Sequence, residues 1–452
     1  MELKCTVNPY IPVTNQRHLV YALVEMVPGK SEPQVSAPLN VGLVVDASES
    51  MSIPILTEAQ FQDLLAKGMA KQKEVDGVKV WQFEVPRGYK VEAPSNLDFT
   101  KQALRIVANR LRPEDRFSLI AFAEDALLMV PNTPGHEKAK LLQAIDRLDR
   151  AELGDETYMA RGMAMGHKQT LPGIAPHTVS RMIVLTDGYT KEKQACHSWA
   201  QQAKQDGIVV STMGLGLDFN EELLISLADA SGGHAYFCQD PAQIPEVLEE
   251  ELTCAQSITW RNMSLSLTLP TDVTLRRAHR ASPTIAHIPA NPDKMELGDL
   301  EPGQPPAVLL EMIVPPRPVG NYRLAQAALH ARPATGGGSQ EIAQRDIVVS
   351  YTERPSEASQ TDPLLMSAVQ RVSAFKLQNQ AMEEAGRGNV AGATRRLRMA
   401  GERLIDMGQK DLGETMLSEA ERMEQGEQMS VEGTKKLRYG TRKLTRPPRA
   451  DG

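Results

Sequence analysis

Apolar residues along this chain change their spacing twice, and the changes mark candidate domains. From Leu39 to about Leu252, short continuous apolar runs alternate with stretches of helical period. The runs are VGLVVDA (41–47), RFSLIAFA (116–123), RMIVLTDG (181–188) and GIVVSTMGLG (207–216). Their length and β-branched content predict strands buried on both faces. KQALRIVANRL (101–111), KAKLLQAIDRL (138–148), TYMARGMAMGHKQT (157–170) and NEELLISLADAS (220–231) predict helices between them. Asn220 is a suitable N-cap for the last helix and Gly232 a suitable stop. Strand–helix alternation of this kind predicts a doubly wound parallel sheet with helices on both faces, spanning residues 39–255.

Both flanks read differently. LKCTV (3–7) and LVYALVEMV (19–27) predict two strands within residues 1–30. Residues 256–353 carry short strand candidates separated by Pro- and Gly-rich turns, which predict a β-sandwich. The N-terminal strands lack a sheet of their own and are expected to complete it, so that the α/β domain is inserted in the sandwich. Residues 363–427 return to helical period, punctuated by Gly386, Gly388 and Gly408, and predict a helical bundle. Residues 428–452 are basic and Pro-containing and are expected to be a disordered tail. The expected fold class is multidomain α/β plus β plus α.

Composition narrows the function classes. A chain of 452 residues accommodates about three domains. It is 41% hydrophobic and 24% charged, with a net charge of −7, which argues against nucleic acid as a partner. No apolar run approaches the roughly 18 residues of a membrane span. The start, MELKCTVNPY, lacks the features of a signal peptide. Cys5, Cys196, Cys238 and Cys254 are scattered and form no CxxC pair. The expectation is a reduced, cytoplasmic protein.

The candidate chemistry sits at strand ends, where open α/β sheets bind ligands. Asp46, Ser48 and Ser50 follow the first buried strand at every second position. Thr157 precedes a helix, and Asp187 ends RMIVLTDG. Two carboxylates and three hydroxyls make an all-oxygen set that suits Mg²⁺ or Mn²⁺; the lack of His and Cys disfavours zinc. Weak hydroxyl ligands leave such a metal electrophilic and receptive to another carboxylate.

DASES, a Thr loop and a TDG strand end, in that order, resemble the von Willebrand factor A family and its metal-ion-dependent adhesion site. The resemblance covers about residues 39–255. It implies that Ser48 and Ser50 bind the metal directly, Thr157 directly or through water, and Asp46 and Asp187 mainly through water. A partner's Asp or Glu would complete the shell. The split sandwich and LGDLEPGQ (297–304) are similar to inter-alpha-inhibitor-like arrangements.

Two features depart from that pattern. The Thr loop reads GDET, so Asp155 and Glu156 join Glu49 in crowding the site with acid. Residues 52–95 are an insertion between the serine loop and the next helix. Thr57 and Gln60 predict a capping box there, and Phe61, Leu64, Leu65 and Met69 a helical face. Glu49, Asp155, Glu156 and Trp81 are therefore candidates for a partner-binding rim. In the basic tail, Thr434, Thr441 and Thr445 are candidate phosphorylation sites.

The expected function is a metal-dependent protein-interaction protein, an adaptor or scaffold, and not an enzyme. The resemblance implies partners such as a MoxR-type AAA+ ATPase, or kinase and forkhead-associated-domain proteins. The alternative is a metal-dependent hydrolase that uses the same cation to activate water. It would need a general base such as Glu49, Asp155 or Glu156, and no P-loop or nucleophile elbow accompanies it.

Overall fold

A computed structural model describes residues 1–29, 37–75, 78–83, 86, 93–150, 153–154, 156–301 and 303–445, with side chains described outside 73–83 and Arg150. The chain opens with strands β1 (Glu2–Val7), β2 (Tyr10–Pro12) and β3 (His18–Val27), followed by β4 (Leu39–Asp46). Helix α1 (Glu58–Ala66) and the hairpin β5 (Ala70–Val75) and β6 (Val78–Phe83) occupy the insertion. Next come α2 (Asn96–Arg110), β7 (Arg116–Phe122), β8 (Ala126–Pro134), α3 (Lys138–Ile145) and α4 (Met159–Thr170). They are followed by β9 (Val179–Thr186), α5 (Lys193–Gln205), β10 (Ile208–Leu215), α6 (Glu221–Ser231), β11 (Ala235–Cys238) and α7 (Ile244–Gln256).

These strands form a six-stranded sheet in the order β11-β10-β9-β4-β7-β8, parallel except for the β7–β8 pair. The expected α/β domain is thus observed, with β4 at its centre and every residue of β4 buried. Alternation along β4 explains its continuous apolar run. Val41, Leu43 and Val45 pack with Leu104, Val107 and Leu248 of α2 and α7, whereas Val44 packs with Met163, Cys196 and Leu224 of α4, α5 and α6. Each such side chain stabilises the fold by about 1.5–3 kcal/mol relative to exposure. A one-residue slip of β4 would exchange the two layers and misplace Asp46.

The following strands are β12 (Trp260–Thr268), β13 (Thr274–Ser282), β14 (Ala286–Ile288), β15 (Met295–Gly298), β16 (Ala307–Val314), β17 (Gly320–Pro333) and β18 (Gln340–Thr352). With β1–β3 they make two five-stranded sheets, β1-β3-β16-β13-β14 and β15-β12-β17-β18-β2. One hydrophobic core, including Val24, Met26, Leu310, Leu329 and Val349, joins them. On β3 the opposite-facing Leu23 is also buried, against Leu365, Val372 and Leu397 of the C-terminal helices.

Those helices are α8 (Pro355–Ala358), α9 (Pro363–Gly386), α10 (Val390–Asp406), α11 (Lys410–Glu424) and α12 (Val431–Arg442). Helix α12 corrects the expectation of a disordered tail beginning at residue 428. Ser430 caps it by accepting from Gly433 N at 2.9 Å. Leu437 and Tyr439 are buried along it. Its basic residues face acids of α6 instead of repelling one another. Lys435 pairs with Glu221 at 2.9 Å, and Arg442 donates to both oxygens of Asp229 at 2.8 and 2.5 Å. Residues 446–452 lie outside the described residues.

Candidate metal centre

The parallel sheet delivers Asp46 and Asp187 to one edge because β4 and β9 are adjacent and both end there. Asp46 is fully buried and Asp187 is 6% exposed. The chain leaves β4 as an extended residue, Ser48, and a single 3-10 turn from Glu49 to Ser52. That turn folds the two serines back over the strand tips. Ser48 Oγ donates to Asp46 Oδ1 at 2.6 Å, and Ser48 N donates to the same oxygen at 3.0 Å. The Ser48 and Ser50 hydroxyls are 3.1 Å apart, and Ser50 Oγ donates to Asp187 Oδ1 at 2.7 Å. A continuous chain of oxygens therefore links the two carboxylates.

Thr157 closes the third side. It is 7% exposed, and a Cβ added at Gly188 would lie 2.7 Å from its Oγ1. The structure thus joins four of the five residues suggested by the sequence through hydrogen bonds and sets Thr157 beside Gly188, the neighbour of Asp187. It adds two others. Thr186 Oγ1 donates to Asp46 Oδ2 at 2.6 Å, and Asn96 Nδ2 donates to Asp187 Oδ2 at 3.0 Å. Asn96 opens α2 beside the capping box formed by Ser95 and Asp98. Its Oδ1 is buried without a hydrogen-bond partner. The SNLD capping signal locates the start of α2 but does not disclose that Asn96 reaches Asp187. Thr186 sits in the sequence directly before Asp187, yet only the sheet register shows that its hydroxyl reaches across to β4.

Burial pushes the Asp46 carboxyl up to about 6; hydrogen bonds from Ser48 and Thr186 oppose the shift and the charge of Asp187 adds to it. Burial likewise raises Asp187, against its bonds from Ser50 and Asn96 and with the charge of Asp218. Among the described residues, no Lys or Arg forms an ion pair with either carboxylate. Two buried acids without a countercharge are costly when ionised. A hard divalent cation would relieve that cost, and the surrounding hydroxyls fit its coordination chemistry. Among the described residues no group of three or more His, Cys, Asp or Glu is arranged around a metal position. The donor set here depends on hydroxyls.

The rim is partly as expected from the sequence. Glu49 and Ser50 are exposed, so the oxygen cluster opens to solvent. Glu156 is exposed but engaged: it pairs with Lys191 and accepts from Tyr158 Oη at 3.0 Å, which holds its carboxyl below the usual range. It is therefore less a free acid than the GDET reading suggests. Asp155 and the side chain of Trp81 lie outside the described residues. The sequence reading missed an apolar component. Ile53, Ile55 and Tyr189 are 59%, 38% and 55% exposed, and all three follow site residues closely in the chain.

The tail candidates do not share one environment. Thr441 is fully buried and donates to Gln378 Oε1 at 3.1 Å and Leu437 O at 2.9 Å. Thr445 donates to Pro283 O at 2.8 Å, and Thr434 is half-buried on α12. Of the three candidates, Thr441 is withdrawn from solvent because α12 packs it against α9.

Residues 92–250 match the family model of the von Willebrand factor type A domain, and residues 363–447 match that of the Sll0103-like C-terminal alpha-helical domain. The first match begins in the last residues of the insertion; the sheet itself joins Asp46, Ser48 and Ser50 to it through β4. The uncharacterized protein sll0103 of Synechocystis is 23% identical over 364 residues, covering 78% of this chain and 85% of that one. The uncharacterized protein YfbK of Escherichia coli is 25% identical over 161 residues, covering 34% of this chain and only 28% of its own length. A von Willebrand factor type A protein from Catenulispora acidiphila shares the fold with a TM-score of 0.73 at 16% identity, covering 98% of this chain and 96% of that one. The ArnB paralog VWA2 from Sulfolobus acidocaldarius has a TM-score of 0.55 at 16% identity, covering 98% and 99%.

Proposed function

We propose that this von Willebrand factor type A domain protein is a metal-dependent interaction protein that captures a carboxylate of a protein partner. Mg²⁺ or Mn²⁺ would be held by the Ser48, Ser50 and Thr157 hydroxyls together with Asp46 and Asp187. The cation supplies an electrophilic position for an incoming Asp or Glu. The observation that carries the reading is the pair of buried, uncompensated carboxylates joined by hydroxyls that open to solvent at Ser50.

The chain's own residues give that capture direction. Thr186 and Asn96 hold the outer oxygens of Asp46 and Asp187, so the acids keep their orientation when the metal is exchanged. Ile53, Ile55 and Tyr189 offer apolar contact beside the metal position. The favoured ligand is then an acidic residue flanked by apolar ones. Glu49 selects against strongly acidic partners by repulsion. The role is that of an adaptor, without catalysis. A MoxR-type AAA+ ATPase and kinase or forkhead-associated-domain proteins are the partner classes to screen. A cytoplasmic location belongs to the same proposal and is supported by four cysteines that stand free of disulfides. Among the described residues no helix is long and apolar enough to cross a membrane.

A pull-down with immobilised protein tests the reading. It is run with Mg²⁺, with chelator, and with Asp187→Ala. A partner retained only by the wild-type protein with metal supports capture through the cation. Partners indifferent to both changes would refute it.

A further inference from the structure

A different site lies at the amino-terminal end of β10, away from the strand tips that carry Asp46 and Asp187. A cavity of about 370 Å³ separates the α/β domain from the neighbouring sheets. Lys204 and Asp229 contribute from one side; Arg280, Lys294, Glu296 and Arg332 contribute from the other. Four basic side chains thus face two acidic ones. An adjoining cavity of about 440 Å³ shares Lys204, Asp229, Arg280, Lys294 and Glu296.

The two acids are already shared. Glu296 pairs with Lys204 at 2.5 Å and with Lys294 at 3.1 Å. Asp229 lies 3.5 Å from Arg280 and takes two bonds from Arg442. Nothing is left for Arg332. Among the described residues its guanidinium has no ion pair, and its Nε is buried without a hydrogen-bond partner. Its cross-strand neighbour is also an arginine, because β12 and β17 pair Arg261 with Arg332 in register. Like charges placed opposite each other in an antiparallel pair are destabilising. Arg261 spends one donor on Thr178 O at 2.5 Å, which fixes it in place. Its guanidinium is held below its usual range by burial first and by the charges of Arg332 and Arg181, against the attraction of Asp299.

We propose that this cavity binds a small phosphate-bearing molecule, of mononucleotide size or less, with the Arg332 guanidinium as its principal contact and Lys294 as a second. The volume lies in the range of small-molecule sites, about 300–1,000 Å³. A phosphate monoester matches the unmet need in charge and geometry: a dianion with several acceptor oxygens, facing a planar fork of N–H donors. Bound there, it would contact both the α/β domain and the β-sheets and hold them together.

Isothermal titration calorimetry on the full chain tests this, with adenosine monophosphate and with inorganic phosphate as probes and chelator present throughout. The expected result is saturable, salt-sensitive binding of at least one probe. Arg332→Gln is expected to weaken it about tenfold or more, as loss of a charged hydrogen bond would. Lys294→Gln, an exposed change, is expected to weaken it less and guards against a folding defect in the first variant. Preference for the nucleotide would assign an organic phosphate; equal binding would assign free phosphate; both outcomes support the site. No binding of either probe at millimolar concentration, or equal binding by wild type and both variants, would overturn it.

Discussion

Replacing Lys435 by Met should release α12 from the α/β domain. The ammonium is buried; Nζ donates to Phe219 O at 2.5 Å, pairs with Glu221 at 2.9 Å and lies 3.9 Å from the centre of the Phe219 ring. Methionine keeps much of the apolar stem but none of these bonds. Losing one partner of a fully buried pair costs about 3–5 kcal/mol. Here Glu221 is 18% exposed at its side chain and retains Arg438 at 3.4 Å, so the cost falls to about 2–3 kcal/mol. In a chain of several domains this energy is best read locally, because a single unfolding free energy is not well defined. Hydrogen exchange of the amides in Val431–Arg442 is the suitable assay. The loss corresponds to exchange faster by about 30- to 150-fold in α12. Amides of β4 should be unaffected. Unchanged exchange in α12 would refute the claim that Lys435 anchors the helix.

Four further outcomes follow from named contacts. Gly188→Ala puts a methyl 2.7 Å from Thr157 Oγ1, so it should weaken Mn²⁺ binding several-fold in calorimetry while leaving the circular dichroism spectrum unchanged. Asn96→Ala removes the donor on Asp187 Oδ2 and should weaken Mn²⁺ by about tenfold, as loss of an outer-shell partner does. His234 lies 3.1 Å from Glu251 and 3.3 Å from Glu301, with Arg181 and Tyr236 facing the same cluster; burial opposes its charge, but the two carboxylates prevail and its pKa is raised. The stability it contributes is full below about 6.5 and is lost as pH rises through the raised value, so the thermal midpoint should fall more steeply on the alkaline side in wild type than in His234→Gln. Thr441, fully buried, should remain unmodified when the folded protein is treated with a Ser/Thr kinase and mapped by mass spectrometry.

The two carboxylates facing His234 shift in opposite directions, and their surroundings explain it. Glu251 also accepts from Ser211 at 2.5 Å and Tyr236 at 2.7 Å and is held at about 2, although burial opposes this. Glu301 leaves Oε2 without a partner, and burial raises it.

What could be read from the sequence followed local physics. The run 41–45 is apolar on both faces because β4 has a helical layer on each side, and the unbroken apolar run carries that information. Met159 and Met163 are buried helix-packing residues, as their helical spacing implies. The oxygen ligands announced themselves by their position at strand ends. The outer contacts from Thr186 and Asn96 did not, since each depends on a neighbour about 90 to 140 residues away. Helix α12 was obscured for a related reason. KKLRYGTRK is a basic strip by composition, and its order comes from acids on α6, Glu221 and Asp229, that no local pattern links to it. His234 has no ligand-like spacing in the sequence, yet the fold places it between two glutamates from separate segments.

Titrating metal-free protein with Mn²⁺, with the free ion followed by electron paramagnetic resonance, tests the central claim most directly. The account predicts one saturable site in the wild-type chain that is lost in Asp187→Ala. A wild-type chain that binds no Mn²⁺, or a variant that binds it equally well, would contradict the account.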